Sequence, residues 1–247
     1  MNILILKDGD ISSAIMATPA LRALHEKGHD IYLLINSGPD APEIEKIFED
    51  AEYIKEVKGF NSTREKNGDT IISWTVQRSI DICIELFPPA PAFKWLYPYL
   101  HCDVIRRAPK ELPADKHEVD FDLEMVADLL GESPSTLYDI PRYKFDSVDD
   151  ILSENKDKIK VIICPNFKKN DIDLKKSWGV GNYVKLINLL PPDFQAILVD
   201  DSDGIGVCNF IKHLAPRSIN LAGSLSLKEC IAIIDLADIV ISNNNGP

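Results

Sequence analysis

Asn2-Ile3-Leu4-Ile5-Leu6-Lys7-Asp8-Gly9-Asp10-Ile11-Ser12-Ser13-Ala14 opens the chain, and its reading decides the fold. After Asn2 the run is wholly Ile and Leu with no polar alternation, the pattern of a strand covered on both faces. Residues 7–10 form a polar turn, and from Ile11 to about Glu26 the apolar residues recur at helical spacing. Pro19 falls inside that helix, yet Ala17, Ala20, Leu21 and Leu24 carry an apolar stripe across it. The expectation is a kink or two abutting helices, ended by Gly28.

Working outward, the same unit recurs. Residues 31–35 read as a second buried strand, 42–48 as a short helix, 53–57 as a third strand, 80–86 as a fourth, 92–100 as a helix and 103–106 as a fifth strand. A helix follows near 121–130. Residues 131–156, rich in Pro, Ser and Asp, read as a connection between domains. The alternation then restarts with strands at 160–164, 195–199, 218–221 and 238–242 and helices at 183–190 and 207–214. Ser226 and Glu229 form a capping box that opens a helix to about residue 236. Continuous apolar strands alternating with helices imply an α/β fold of two Rossmann-like domains with parallel sheets, 1–150 and 151–247. The sequence stops five residues after its last strand, so the second domain is expected to be incomplete.

Composition narrows the class. Of 247 residues, 45% are hydrophobic and 27% charged, the mixture of a globular protein rather than a disordered one. No run reaches the roughly 18 apolar residues of a membrane span, and the first residues lack the basic start of a signal peptide, so a cytoplasmic location is expected. Cys83, Cys102, Cys164, Cys208 and Cys230 are odd in number and widely spaced, which excludes a disulfide scaffold and a cysteine zinc site. His25 and His29 straddle a helix end and read as a surface pair rather than metal ligands. The net charge of −12 disfavours nucleic acid. It is concentrated in residues 1–150, with 16 basic and 28 acidic residues, while residues 151–247 hold 11 of each.

Three segments in order resemble glycosyltransferase family 9, the lipopolysaccharide heptosyltransferases, whose architecture is the two-Rossmann GT-B arrangement. They are Ile11 to Leu24 with its Thr18-Pro19-Ala20-Leu21-Arg22 run, Lys176-Ser177-Trp178, and Leu221-Ala222-Gly223 followed by Ala237 to Pro247, ending Asn243-Asn244-Asn245-Gly246-Pro247. The resemblance implies transfer of a sugar, a heptose, from a nucleoside diphosphate sugar to a glycan acceptor. The acceptor would sit on the N-terminal domain and the donor on the C-terminal one, with no metal or other cofactor required. Homo-oligomerisation would suit any apolar surface left by an incomplete second domain.

The family's general base is an aspartate after a glycine at the start of the first helix, and those positions fall on Ser12 and Ser13. A serine with no base beside it does not accept a proton near neutral pH. Gly9-Asp10 stands three residues earlier, and two roles are open to Asp10: base supplied from the loop, or helix N-cap. Lys176 matches the lysine that contacts the donor diphosphate, where a cation stabilises the leaving group; the ordinary alternative is a solvated lysine. Asn243, Asn244, Asn245 and Gly246 match a segment whose backbone N–H groups cradle that diphosphate, with Asn244 replacing an aspartate. Asp201, just after a strand, reads as a ribose-binding or loop-capping carboxylate, whereas Trp74, Trp95 and Trp178 read as packing residues. An acidic first domain repels a polyanionic acceptor, and Arg106, Arg107 and Lys110 make the one small basic cluster, so a neutral acceptor or none is expected.

Overall fold

The computed structural model describes residues 1–36, 41–61, 68–89, 91–102, 104–108, 111, 115–131, 143, 145–153, 155–165 and 178–243. The chain divides into two compact units, Met1–Pro141 and Arg142–Pro247.

In the first unit β1 (Asn2–Asp8), β2 (Asp30–Asn36), β3 (Glu56–Phe60), β4 (Ile82–Glu85) and β5 (Val104–Arg107) form an all-parallel sheet in the order β3-β2-β1-β4-β5. The chain builds outward from β1 to β3, then crosses back to place β4 on the other side of β1. The strand order therefore reverses at the β1/β4 boundary. Ile3 to Leu6 are fully buried, as the unbroken apolar run requires. Leu4 and Leu6 pack with Tyr32, Leu34, Phe60, Phe93 and Leu96 on one face. On the chain after β1, α1 (Ile11–Met16) and α2 (Thr18–Glu26) abut at Ala17, with Pro19 in the first turn of α2 where its missing N–H is harmless. α3 (Ala41–Phe48) and α4 (Gly68–Val76) follow, and α5 (Glu118–Leu130) packs against α2.

In the second unit β6 (Ile159–Cys164), β7 (Phe194–Leu198), β8 (Ile219–Asn220) and β9 (Ile239–Ser242) form a parallel sheet in the order β8-β7-β6-β9. Alternate residues of β6 face opposite layers: Val161 and Ile163 meet α7 (Val180–Leu189) and α8 (Ile205–Leu214), while Ile162 and Cys164 meet α6 (Asp146–Ser153) and α9 (Leu227–Asp235). Ser226 and Glu229 complete the expected capping box at α9. Here the order reverses between β6 and β9.

Several elements differ from the sequence reading. Helix α4 was not expected, because its Thr-Ile-Ile run favours strand; burial of Ile71 and Thr75, one helical turn apart, overrides that preference. Residues 92–100 form short 3-10 turns at Pro91–Phe93 and Tyr97–Tyr99 rather than one helix, with Pro98 inside the second. β3 begins at Glu56 rather than residue 53, since a turn takes up Ala51 to Ile54 before Lys55 N–H pairs with the Ile31 carbonyl at 2.8 Å. α6 lies inside the stretch read as a connection. Among the described residues no helix is long and apolar enough to cross a membrane.

Candidate functional site

Open parallel sheets bind ligands beyond the carboxyl ends of their strands, at the point where strand order reverses. The β1/β4 reversal is followed by residues 8–13. Gly9 has φ 129°, a conformation that suits glycine, and a side chain there would collide with Ser13. Its N–H donates to the Asn36 carbonyl at 3.0 Å, while Asn36 Nδ2 donates to Asp8 Oδ1 at 2.6 Å, so β2 fixes the turn. Asp10 caps α1: its Oδ1 accepts from Ser13 N–H at 3.1 Å. The residues singled out as catalytic, Asp10 and Ser13, are thus brought together, with Asp10 exposed and the Ser13 side chain tucked against Gly9. The cap is one of the two roles open to Asp10, and it leaves Asp10 Oδ2 without a partner among the described residues.

Beneath that loop sits a group of charges that sequence reasoning missed. Lys7 is fully buried, and its ammonium donates to Glu118 Oε1 at 2.6 Å, to Asp122 Oδ2 at 2.9 Å and to the Phe87 carbonyl. Asp122, also fully buried, accepts Phe87 N–H at 2.9 Å with its other oxygen. Burial pushes the Asp122 carboxyl up to about 6, outweighing Lys7 and the Phe87 N–H, with Glu118 adding to the rise. The three ammonium protons meet three acceptors, so this cluster fixes the ends of β1 and β4 to α5 rather than offering charge to a ligand. Its one sequence signal is a lysine directly after the apolar run Ile3 to Leu6.

At the β6/β9 reversal the hub is Asn243. Its Oδ1 accepts from Trp178 N–H at 3.1 Å and from the Tyr183 hydroxyl at 2.7 Å, and its Nδ2 donates to the Pro165 carbonyl at 2.6 Å. Asn243 is buried, so its side chain acts by holding the ends of β6 and β9 and the start of α7 together. Burial also raises the Tyr183 hydroxyl above its ordinary range, with Cys164 adding to the shift, which keeps it a donor. Gly179 caps α7 with φ 87° and, having no side chain, leaves the first N–H groups of that helix without a side-chain cap. Trp178 is 49% exposed, not the packing residue expected, with its ring 5.0 Å from Tyr183 and nearly perpendicular to it.

Asp201 stands where the chain leaves β7 and accepts from the N–H groups of Asp203 at 2.9 Å and Gly204 at 3.2 Å, the loop-capping alternative of its two readings. Lys176, Asn244, Asn245 and Gly246 lie outside the described residues, as do Lys110 and the side chains of Arg106 and Arg107. Cys164 and Cys208 are pushed up to about 12 and Cys230 to about 11, each chiefly by burial, which leaves them protonated and poor nucleophiles. Among the described residues no group of His, Cys, Asp and Glu side chains is arranged to hold a metal ion.

No protein-family model and no curated protein matches the sequence. Solved structures do match its fold. A glycosyl transferase family 9 protein from Veillonella parvula superposes with a TM-score of 0.77 at 14% identity, covering 100% of this chain and 76% of that one. The E. coli heptosyltransferase WaaC with ADP gives 0.74 at 14% identity, covering 100% and 82%. E. coli ADP-heptose lps heptosyltransferase II gives 0.71 at 14% identity, covering 100% and 80%. The chain therefore has the α/β fold of these enzymes, with two Rossmann-like units.

Proposed function

We propose that the protein is a glycosyltransferase that moves a sugar, a heptose, from a nucleoside diphosphate sugar to a glycan or lipopolysaccharide-type acceptor. The observation that carries this reading is that all of the chain, both sheets included, matches the fold of family 9 transferases. The WaaC structure contains ADP, which suggests an adenosine diphosphate donor here. In this reading the first unit takes the acceptor and the second the donor. Asp10 removes the proton from the acceptor hydroxyl through the carboxylate oxygen that the cap leaves over. Lys176 and the backbone of residues 244–246 stabilise the departing diphosphate, with Asn243 positioning that segment, and Asp201 lies towards the ribose. No metal is needed where these groups carry the charge. We place the protein in the cytoplasm, where nucleotide sugars are made, and leave room for a homo-oligomer.

A second reading has one observation in its favour: Ser13 occupies the register of the base and Asp10 is employed as a cap. It makes the protein an inactive homologue that binds a nucleotide sugar or a partner protein. Asp10→Asn separates the two, since asparagine caps a helix as well as aspartate does but is no base. Turnover of ADP-heptose is followed with a phosphorylated inner-core acceptor and with a neutral glycan. The transferase reading expects turnover that falls at least a hundredfold in Asp10→Asn, with the melting temperature unchanged, and greater activity on the neutral glycan. Donor binding without turnover in the wild type supports the inactive homologue; undiminished turnover in Asp10→Asn removes Asp10 as the base.

A further inference from the structure

Trp178 combines exposure with a fixed backbone. Its N–H is held by Asn243 Oδ1 at 3.1 Å and its carbonyl by Asn182 Nδ2 at 2.6 Å. Its ring rests edge-to-face on Tyr183 at 5.0 Å, and Tyr183 is itself anchored through its hydroxyl on Asn243. Trp178 is nevertheless 49% exposed. A large aromatic ring held in place without being covered gains little from packing, and it stands beyond the carboxyl ends of β6 and β9, where the strand order reverses and ligands of such sheets lie.

We propose that Trp178 is the platform on which the sugar ring of the nucleotide-sugar donor stacks, an inference that rests on the transferase reading above. A pyranose ring presents a patch of C–H groups on its face and hydroxyls around its rim, which fits a flat apolar indole whose surroundings are polar. The topology favours the sugar over the nucleobase. In doubly wound sheets an acidic residue after the second strand marks the ribose side. Here Asp200 and Asp201 follow β7, on one flank of β6, whereas Trp178 is tied to the end of β9, on the other. A nucleoside diphosphate sugar laid across the reversal, ribose towards β7, carries its sugar towards Trp178.

The test compares ADP with ADP-heptose by calorimetry in the wild type, Trp178→Ala and Trp178→Phe, with melting temperatures of all three. The wild type is expected to bind ADP-heptose more tightly than ADP. Trp178→Ala should erase about a tenfold advantage of the sugar-bearing ligand while leaving ADP affinity alone, and Trp178→Phe should keep part of it. Emission of the half-exposed Trp178 should shift with ADP-heptose and not with ADP. An advantage that survives in Trp178→Ala, or is missing from the wild type, overturns the platform alone. Equal loss of ADP and ADP-heptose affinity in Trp178→Ala moves the stacking to the base and also overturns it. Failure of the wild type to bind either ligand overturns the nucleotide-sugar reading, and the platform falls with it.

Discussion

At the end of β1 a buried ammonium is gripped by two carboxylates and a carbonyl, while at the end of β9 a buried carboxamide is gripped by a hydroxyl, an amide N–H and a carbonyl. Both hubs stand where strand order reverses, and both tie neighbouring strand ends to the start of a helix. They differ in charge. A neutral hub can be satisfied and still leave an exposed ring beside it, here the half-exposed Trp178. The ionic hub consumes its own charges, and of the two carboxylates in the loop above it Asp8 holds Asn36 and Asp10 caps α1. Position in the fold marks both places equally; the chemistry filling them separates an ionic support from a neutral one.

The sharpest way to break this comparison is to remove the buried cation. Lys7→Met leaves Glu118, Asp122 and the Phe87 carbonyl facing one another without their donor, and the expected loss of stability is about 3–5 kcal/mol. Urea unfolding of the intact chain reads this directly. Adding Asp122→Leu to Lys7→Met should restore part of the loss, because it is the uncompensated carboxylate that is costly. A loss under about 1 kcal/mol for Lys7→Met alone would mean that water reaches the cluster and that the two hubs do not differ as described.

The next effect is a dependence on pH that only the ionic hub should show. The Asp122 carboxyl is raised from 3.8 to about 6 in the folded protein, so between those values the folded state holds a proton that the unfolded state has lost. Its contribution is therefore fully present below pH 3.8 and is lost as pH rises through 6, by an amount on the order of 3 kcal/mol. Asp122→Asn should flatten the pH profile of unfolding over that window relative to wild type. An unchanged profile would show that Lys7 already keeps Asp122 ionised.

Which of these features can be read from the sequence follows from how local their causes are. Strands 2–6, 31–35 and 160–164 are legible because an unbroken apolar run has few other uses, and the split of the first helix follows from Pro19 alone. Helix α4 is not legible, since local preference opposes it and only the packing of Ile71 and Thr75 decides. The Asp10 cap is local and was among its expected roles. The Lys7 cluster joins residues more than a hundred positions apart, and no periodicity announces such a pairing. Asn243 was marked by its place in a motif, but the partners that turn it into a hub come from Pro165, Trp178 and Tyr183.

The smallest effect sharpens the comparison from the neutral side. Tyr183→Phe deletes one donor to Asn243 Oδ1 and keeps the ring that packs with Val161, Ile163 and Ile187. Asn243 Oδ1 still accepts from Trp178 N–H, so no buried acceptor is orphaned, and the expected loss is about 1 kcal/mol. Because burial keeps the Tyr183 hydroxyl protonated below its raised range, this loss should be the same at pH 4 and pH 7, unlike the effect of any change at Asp122. Urea unfolding of Tyr183→Phe at both pH values measures it. A loss that varies with pH would place a titrating group against Asn243 and erase the distinction between an ionic hub in one unit and a neutral one in the other.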